Sequence, residues 1–131
     1  MAKLSDLVNV DINRNAITIQ GKSIPVVFTF RSFPYVEEAY GEEYEVFEQE
    51  INEMLINNGG RISLGKKETK LMHCLIYAMV RAGGTECTMQ EIEGSIPLSD
   101  LPGIFQVALD LFSNQNFQKS DMDMLKTEKK N

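Results

Sequence analysis

The stretch PVVFTFRSFPYVEEAYG, residues 25–41, decides the fold. It runs from Pro25 and an apolar alternating segment through a second proline, Pro34, into a segment with paired glutamates that stops at a glycine. Ser32 reads as a helix N-cap, and Pro34 falls in the first turn, where its missing N–H has no intrahelical acceptor to lose. Gly41 is a natural left-handed stop for a helix over 32–40. The expectation is a tight corner in which a strand delivers the chain to a helix within about three residues.

Upstream, AITIQGKSIPVVFTF (16–30) reads as a β-hairpin. Gly21-Lys22 suits a two-residue type II′ loop, which would pair Ile19 with Ile24 and Ile17 with Val26. That register puts Ile17, Ile19, Ile24, Val26 and Phe28 on one face. Pro25 lacks an N–H and must point away from the partner strand. A lone hairpin is marginal in water, so its apolar face is expected to rest on helices.

Downstream, Tyr44, Phe47, Ile51, Met54 and Leu55 recur at helical spacing and predict an amphipathic helix over 42–57, broken by Asn57-Asn58-Gly59-Gly60. A helix over 66–82 carries Leu71, Cys74, Leu75, Ala78, Met79 and Ala82 on one face. Met72, Ile76 and Val80 form a second apolar stripe on it, so it is either central in the core or shared with a partner. Gly83-Gly84 ends it. Thr88 and Glu91 make a capping box for a short helix over 88–94. Ser99 or Asp100 caps a last helix over 100–113, apolar on most sides, with Pro102 in its first turn. The expected fold is α+β, mostly α-helical, with an N-terminal hairpin packed against about five helices. A single globular domain would occupy 1–117, and the Lys, Asp, Glu and Ser of 118–131 read as a flexible charged tail.

The 131 residues suffice for one domain with its own core. A net charge of −6 argues against nucleic acid, because phosphate binding draws on clustered Lys and Arg. No window approaches the apolar length of a membrane span and the first residues lack a signal-peptide pattern, so a cytosolic, non-membrane protein is expected. Cys74 and Cys87 do not form a metal-type spacing with each other or with His73, and both are expected reduced, with no metal and no cofactor. His73 and Cys74 are adjacent on a helix and diverge by about 100°, which disfavours a thiolate–imidazole pair. Cys74 falls on the core face and His73 reads as a solvated or partly buried surface residue. The glutamates from Glu37 to Glu53 read as a solvated face, able at most to steer a basic partner or repel wrong neighbours in an assembly. The apolar surplus of the helices over 66–82 and 100–113 favours a homo-oligomer or a standing partner.

ITIQGKSIPVVFTF followed by RSFPYVEEAYG resembles the opening of the tail assembly chaperones of long-tailed bacteriophages and prophages, which share a strand, a small gap and a helix ending in Glu-Glu-x-Tyr/Phe-Gly. KLMHCLIYAMVRAGG and LPGIFQVALDLF are similar to that family's helical body. The likeness covers the order of elements over 16–115 and the motif over 28–41; Pro34 and the long acidic run after Gly41 depart from the pattern. The resemblance implies a non-catalytic assembly role in the host bacterial cytoplasm. Such a protein would hold the tape measure protein, recruit tail tube subunits and be absent from the finished virion. It also implies a longer form made by ribosomal frameshifting, for which Lys130-Asn131 is compatible with a slippery codon pair. The rival readings are a virion part such as a head-tail connector or tail completion protein, a small enzyme near His73, and, last, a DNA-binding regulator. A chaperone of a helical client should offer an apolar stripe. Met72, Ile76 and Val80, with Phe105, Leu109 and Phe112, are the expected exposed contact surface.

Overall fold

The computed structural model describes residues 2–57, 59 and 64–113. The expected tail 118–131, and Asn58 and Gly60 of the Asn57–Gly60 break, lie outside the described residues. The fold is α+β and mostly helical. A single helical turn, α1 (Leu4–Leu7), precedes the antiparallel hairpin of β1 (Arg14–Ile19) and β2 (Lys22–Val27). A 3-10 turn over Phe30–Ser32 leads into α2 (Phe33–Tyr40), followed by α3 (Tyr44–Asn57), α4 (Lys66–Ala82) and α5 (Met89–Ser95). The last helix, α6, covers residues 101–113.

The hairpin keeps the expected apolar face but not the expected turn. Ile17 pairs with Ile24 and Ile19 with Lys22, so the loop is Gln20-Gly21. Both loop residues have positive φ, 52° and 78°, as a type I′ turn requires, and that turn matches the right-handed twist of the strands. The register therefore lies two residues from the expected one. Because side chains alternate with a period of two, an even shift leaves Ile17, Ile19, Val26 and Phe28 inside. Counting from the closing pair, Phe28 N–H donates to the Asn13 carbonyl at 3.1 Å, and Pro25 falls where backbone groups point outward. Its ring nitrogen thus removes no ladder bond.

The corner is locked by two hydroxyls in roles other than the expected one. Ser32 does not cap α2 with its side chain. It is fully buried, donates from Oγ to the Val27 carbonyl at 3.0 Å and accepts from the Thr29 N–H at 3.1 Å. Thr29 is the capping residue, its Oγ1 accepting from the Arg31 N–H at 3.2 Å. The chain leaves the sheet at Val27, and the extra 3-10 turn over Phe30–Ser32 replaces a direct strand-to-helix step. Pro34 sits in the first turn of α2 and Gly41 ends it at φ 82°, donating to the Glu37 carbonyl at 2.9 Å, as the sequence predicts.

The core is built around α4, in which all ten residues from Leu71 to Val80 are buried. It packs against α2, β2, α5, the 3-10 turn and α3. At its end Thr85 N–H bonds the Val80 carbonyl (3.2 Å) and Gly84 N–H bonds the Arg81 carbonyl (3.0 Å), a Schellman closure with Gly84 at φ 103°. Phe28 links the layers, its ring 5.6 Å from Phe112 of α6, 5.9 Å from Phe33 of α2 and 6.2 Å from Tyr44 of α3. The Thr88–Glu91 capping box forms as expected, with bonds of 2.9 and 3.1 Å. Asp100 accepts from the Ile104 N–H at 3.1 Å, the N-cap position for α6.

Candidate functional site

The six residues expected to form an exposed contact stripe are not exposed. Met72, Ile76, Val80, Phe105, Leu109 and Phe112 are all buried inside the one chain, and the expectation is overturned. The physical reason is the central place of α4. Its second apolar stripe is needed because the helix has packing partners on several sides, and α6 contributes Phe105 and Phe112 to the same core. The apolar surplus that suggested a standing partner is absorbed within the fold.

His73 is buried rather than solvated, with Nε2 lacking a hydrogen-bond partner. Burial holds the imidazole below its usual pKa, against the opposing pull of Glu93 and of a hydrogen bond to the Thr69 backbone. Cys74 lies fully buried on the core face, as its spacing indicates, and burial pushes its thiol up to about 11. Burial thus favours the neutral imidazole and the protonated thiol, and a thiol held protonated is a weak nucleophile at neutral pH.

The corner positions a different set of side chains. Alternation from Phe28 would turn Phe30 inward, but β2 ends at Val27 and the 3-10 turn rotates Phe30 out, leaving it 83% exposed. Its ring meets Phe33 edge-on at 5.3 Å, and Phe33 stacks on Tyr44 at 3.7 Å with the planes 6° apart. Beside this aromatic ledge, Phe33, Glu37, Glu43, Tyr44, Glu45 and Glu48 line a recess of about 510 Å³. Glu37 Oε2 accepts from the Tyr44 N–H at 3.0 Å and so caps α3 from α2. Burial, reinforced by the charge and hydrogen bond of Glu48, raises the Tyr44 phenol far above its ordinary value, so it remains a neutral donor. The sequence reading placed the glutamates but missed Phe30, whose outward turn depends on the corner geometry.

Two other features shape the surface. A groove of about 550 Å³ separates the hairpin from α6, lined by Ala16, Thr18 and Gly21 on one side and Gly103, Ile104 and Val107 on the other. The free edge of β1 is partly blunted there, because the Ala16 N–H is taken by Asn15 Oδ1 at 2.8 Å. Separately, Arg81 ties three segments together. It donates to Tyr77 Oη at 3.0 Å and to the Cys87 carbonyl at 3.2 Å, and its guanidinium lies 4.8 Å from the Tyr35 ring centre. Tyr77 in turn donates to Glu38 at 3.4 Å. Among the described residues no cluster of three or more His, Cys, Asp or Glu side chains is placed to hold a metal ion, and no helix is long and apolar enough to cross a membrane.

Comparison with protein-family models, with curated proteins and with solved structures found no match to the chain.

Proposed function

We propose that this protein is a non-catalytic tail assembly chaperone of a long-tailed bacteriophage or prophage. It would hold the tape measure protein and recruit tail tube subunits in the host cytoplasm, and leave before the virion is complete. The observation that carries the reading is the stretch over 28–41, where a hairpin strand passes through a hydroxyl-locked corner into a short helix stopped by Gly41. This is the element order that the resemblance implies. Supporting it, the two side chains most suited to chemistry, His73 and Cys74, are both buried away from solvent, and the Cys74 thiol is held protonated. Exposed apolar side chains sit instead at Phe30 and along the N-terminal arm, at Leu4, Leu7, Val8, Val10 and Ile12, with others at Val46, Ile56, Leu64 and Leu98. An assembly factor that grips other chains needs such surface outside its own core.

The test is affinity purification from the native gene cluster with the bound proteins identified, alongside mass spectrometry of finished particles. Recovery of a very long, helix-rich protein or of the tail tube subunit, with this chain absent from particles, is the expected result. Recovery of portal or head-end proteins, with the chain present in particles, would replace this reading with the connector.

A further inference from the structure

We propose that the aromatic ledge and recess formed by the corner, α2 and the start of α3 dock a Lys/Arg-bearing amphipathic segment of a partner protein. The inference rests on the recess alone and not on the assembly reading. Phe30 is the most exposed large hydrophobic side chain among the described residues. Leaving a phenylalanine in water forgoes roughly 2–3 kcal/mol of burial. This exposure is built in, because Ser32 is buried and bonded to both Val27 and Thr29, which fixes the turn that carries Phe30. The ring continues an ordered series with Phe33 and Tyr44, so an apolar side chain laid against it would meet a preformed surface rather than a mobile one.

Charge selects the occupant. Residues 32–60 carry eight glutamates and no lysine or arginine. Of the nearby cations, Lys67 pairs with Glu50 at 3.5 Å and Lys70 lies 5.1 Å from the ring centre of Tyr40, while Arg31, exposed beside Phe30, is the one positive charge in the corner itself. Glu43 and Glu45 therefore rim the apolar ledge with negative charge facing solvent. The carboxylates alone would be a solvated face, and the ledge alone would accept any apolar surface. Together they favour a segment with an apolar stripe on Phe30 and Phe33 and cations toward Glu43 and Glu45, with the aromatic faces adding cation–π attraction.

The purified full chain, isotope-labelled for NMR, is titrated with a synthetic Leu/Lys amphipathic helix about 18 residues long and with the same peptide carrying Glu for Lys. Binding of the Lys peptide alone is expected, with the amide shift changes centred on residues 29–48. Phe30→Ala should weaken it at least about fivefold. The double change Glu43→Gln with Glu45→Gln should also weaken it and flatten its salt dependence. Melting curves of each variant establish that the fold is kept. Equal affinity for both peptides, shift changes centred on the hairpin–α6 groove, or an unchanged affinity in Phe30→Ala would overturn the proposal. So would self-association of the chain through Phe30 in sedimentation, with no response to peptide.

Discussion

A Cβ built on Gly83 would overlap the carbonyl oxygen of Pro25 and come within 2.9 Å of its carbon, both backbone atoms of β2 that cannot swing aside. Its neighbour Gly84 has open space around it but sits at φ 103°. The two glycines that close α4 are thus required for different reasons, one steric and one conformational. Gly83→Ala should cost about 1–3 kcal/mol by forcing the hairpin off α4, and Gly84→Ala about 1–2 kcal/mol through backbone strain. Asparagine separates the causes: it tolerates the left-handed region, so Gly84→Asn should recover part of the loss while Gly83→Asn should not. Urea unfolding of the four variants measures this. His73 allows a second residue-level prediction, because it is the chain's single histidine and carboxylates titrate lower. Its folded pKa is lowered, so below the ordinary histidine value the unfolded chain binds a proton that the folded chain refuses. Stability is therefore complete above about pH 6.5 and falls as the pH drops below it. The urea midpoint should decrease between about pH 7.5 and pH 5.5, and His73→Gln should remove most of that slope whatever its effect on absolute stability.

Among the elements, α4 was the most legible and also the source of the largest error. Its bounds, Lys66–Ala82, are those predicted, because Gly83-Gly84 punctuates it so strongly. Periodicity also showed two apolar stripes, but it cannot say whether a second stripe meets another molecule or another part of the same chain. Here it meets the chain's own core. Ile76→Ala should consequently cost about 2–5 kcal/mol in the unfolding free energy of the free protein, as a core truncation does. Phe30→Ala should leave it within about 0.5 kcal/mol, as a surface change does. If Ile76→Ala melts like the parent protein, the central place of α4 is wrong. The hairpin shows a different limit. Its buried face could be read from alternation, whereas its turn could not, because Gln20 reaches an uncommon φ of 52° with its side chain bonded to the Ser95 carbonyl at 2.9 Å. A contact 75 residues away in sequence leaves no local trace. The candidate site was half legible for a similar reason. Its glutamates stand out in composition, while Phe30 faces solvent only because a buried serine inserts a turn between strand and helix.

At the scale of the whole molecule the charges are segregated rather than mixed, with eight glutamates between residues 37 and 53 in a chain of net charge −6. Two ion pairs among the described residues oppose this: Arg14–Asp11 at 3.9 Å, exposed on both sides, and Lys67–Glu50 at 3.5 Å, in which Glu50 is half-buried. Exposed pairs of this kind contribute about 0–1 kcal/mol each, and salt weakens them. Repulsion within the acidic face works the other way, since like charges one turn apart on a helix, such as Glu45 and Glu48, cost a few tenths of a kcal/mol each, about 0.2–0.5. Eight glutamates over 37–53 with no intervening lysine or arginine make repulsion the larger effect there, so screening should stabilise the fold. Raising NaCl from about 10 mM to 300 mM shortens the Debye length from about 30 Å to under 8 Å. The melting temperature should then rise by roughly 2–5 °C for a chain of this size. Replacing Glu42 and Glu45 with glutamine should raise the low-salt melting temperature and shrink the salt response, because the repulsion has been removed in advance. A melting temperature that falls with salt would mean that the glutamates are neutralised within the fold. In that case the negative charge at the ledge would have no surplus with which to select a basic partner.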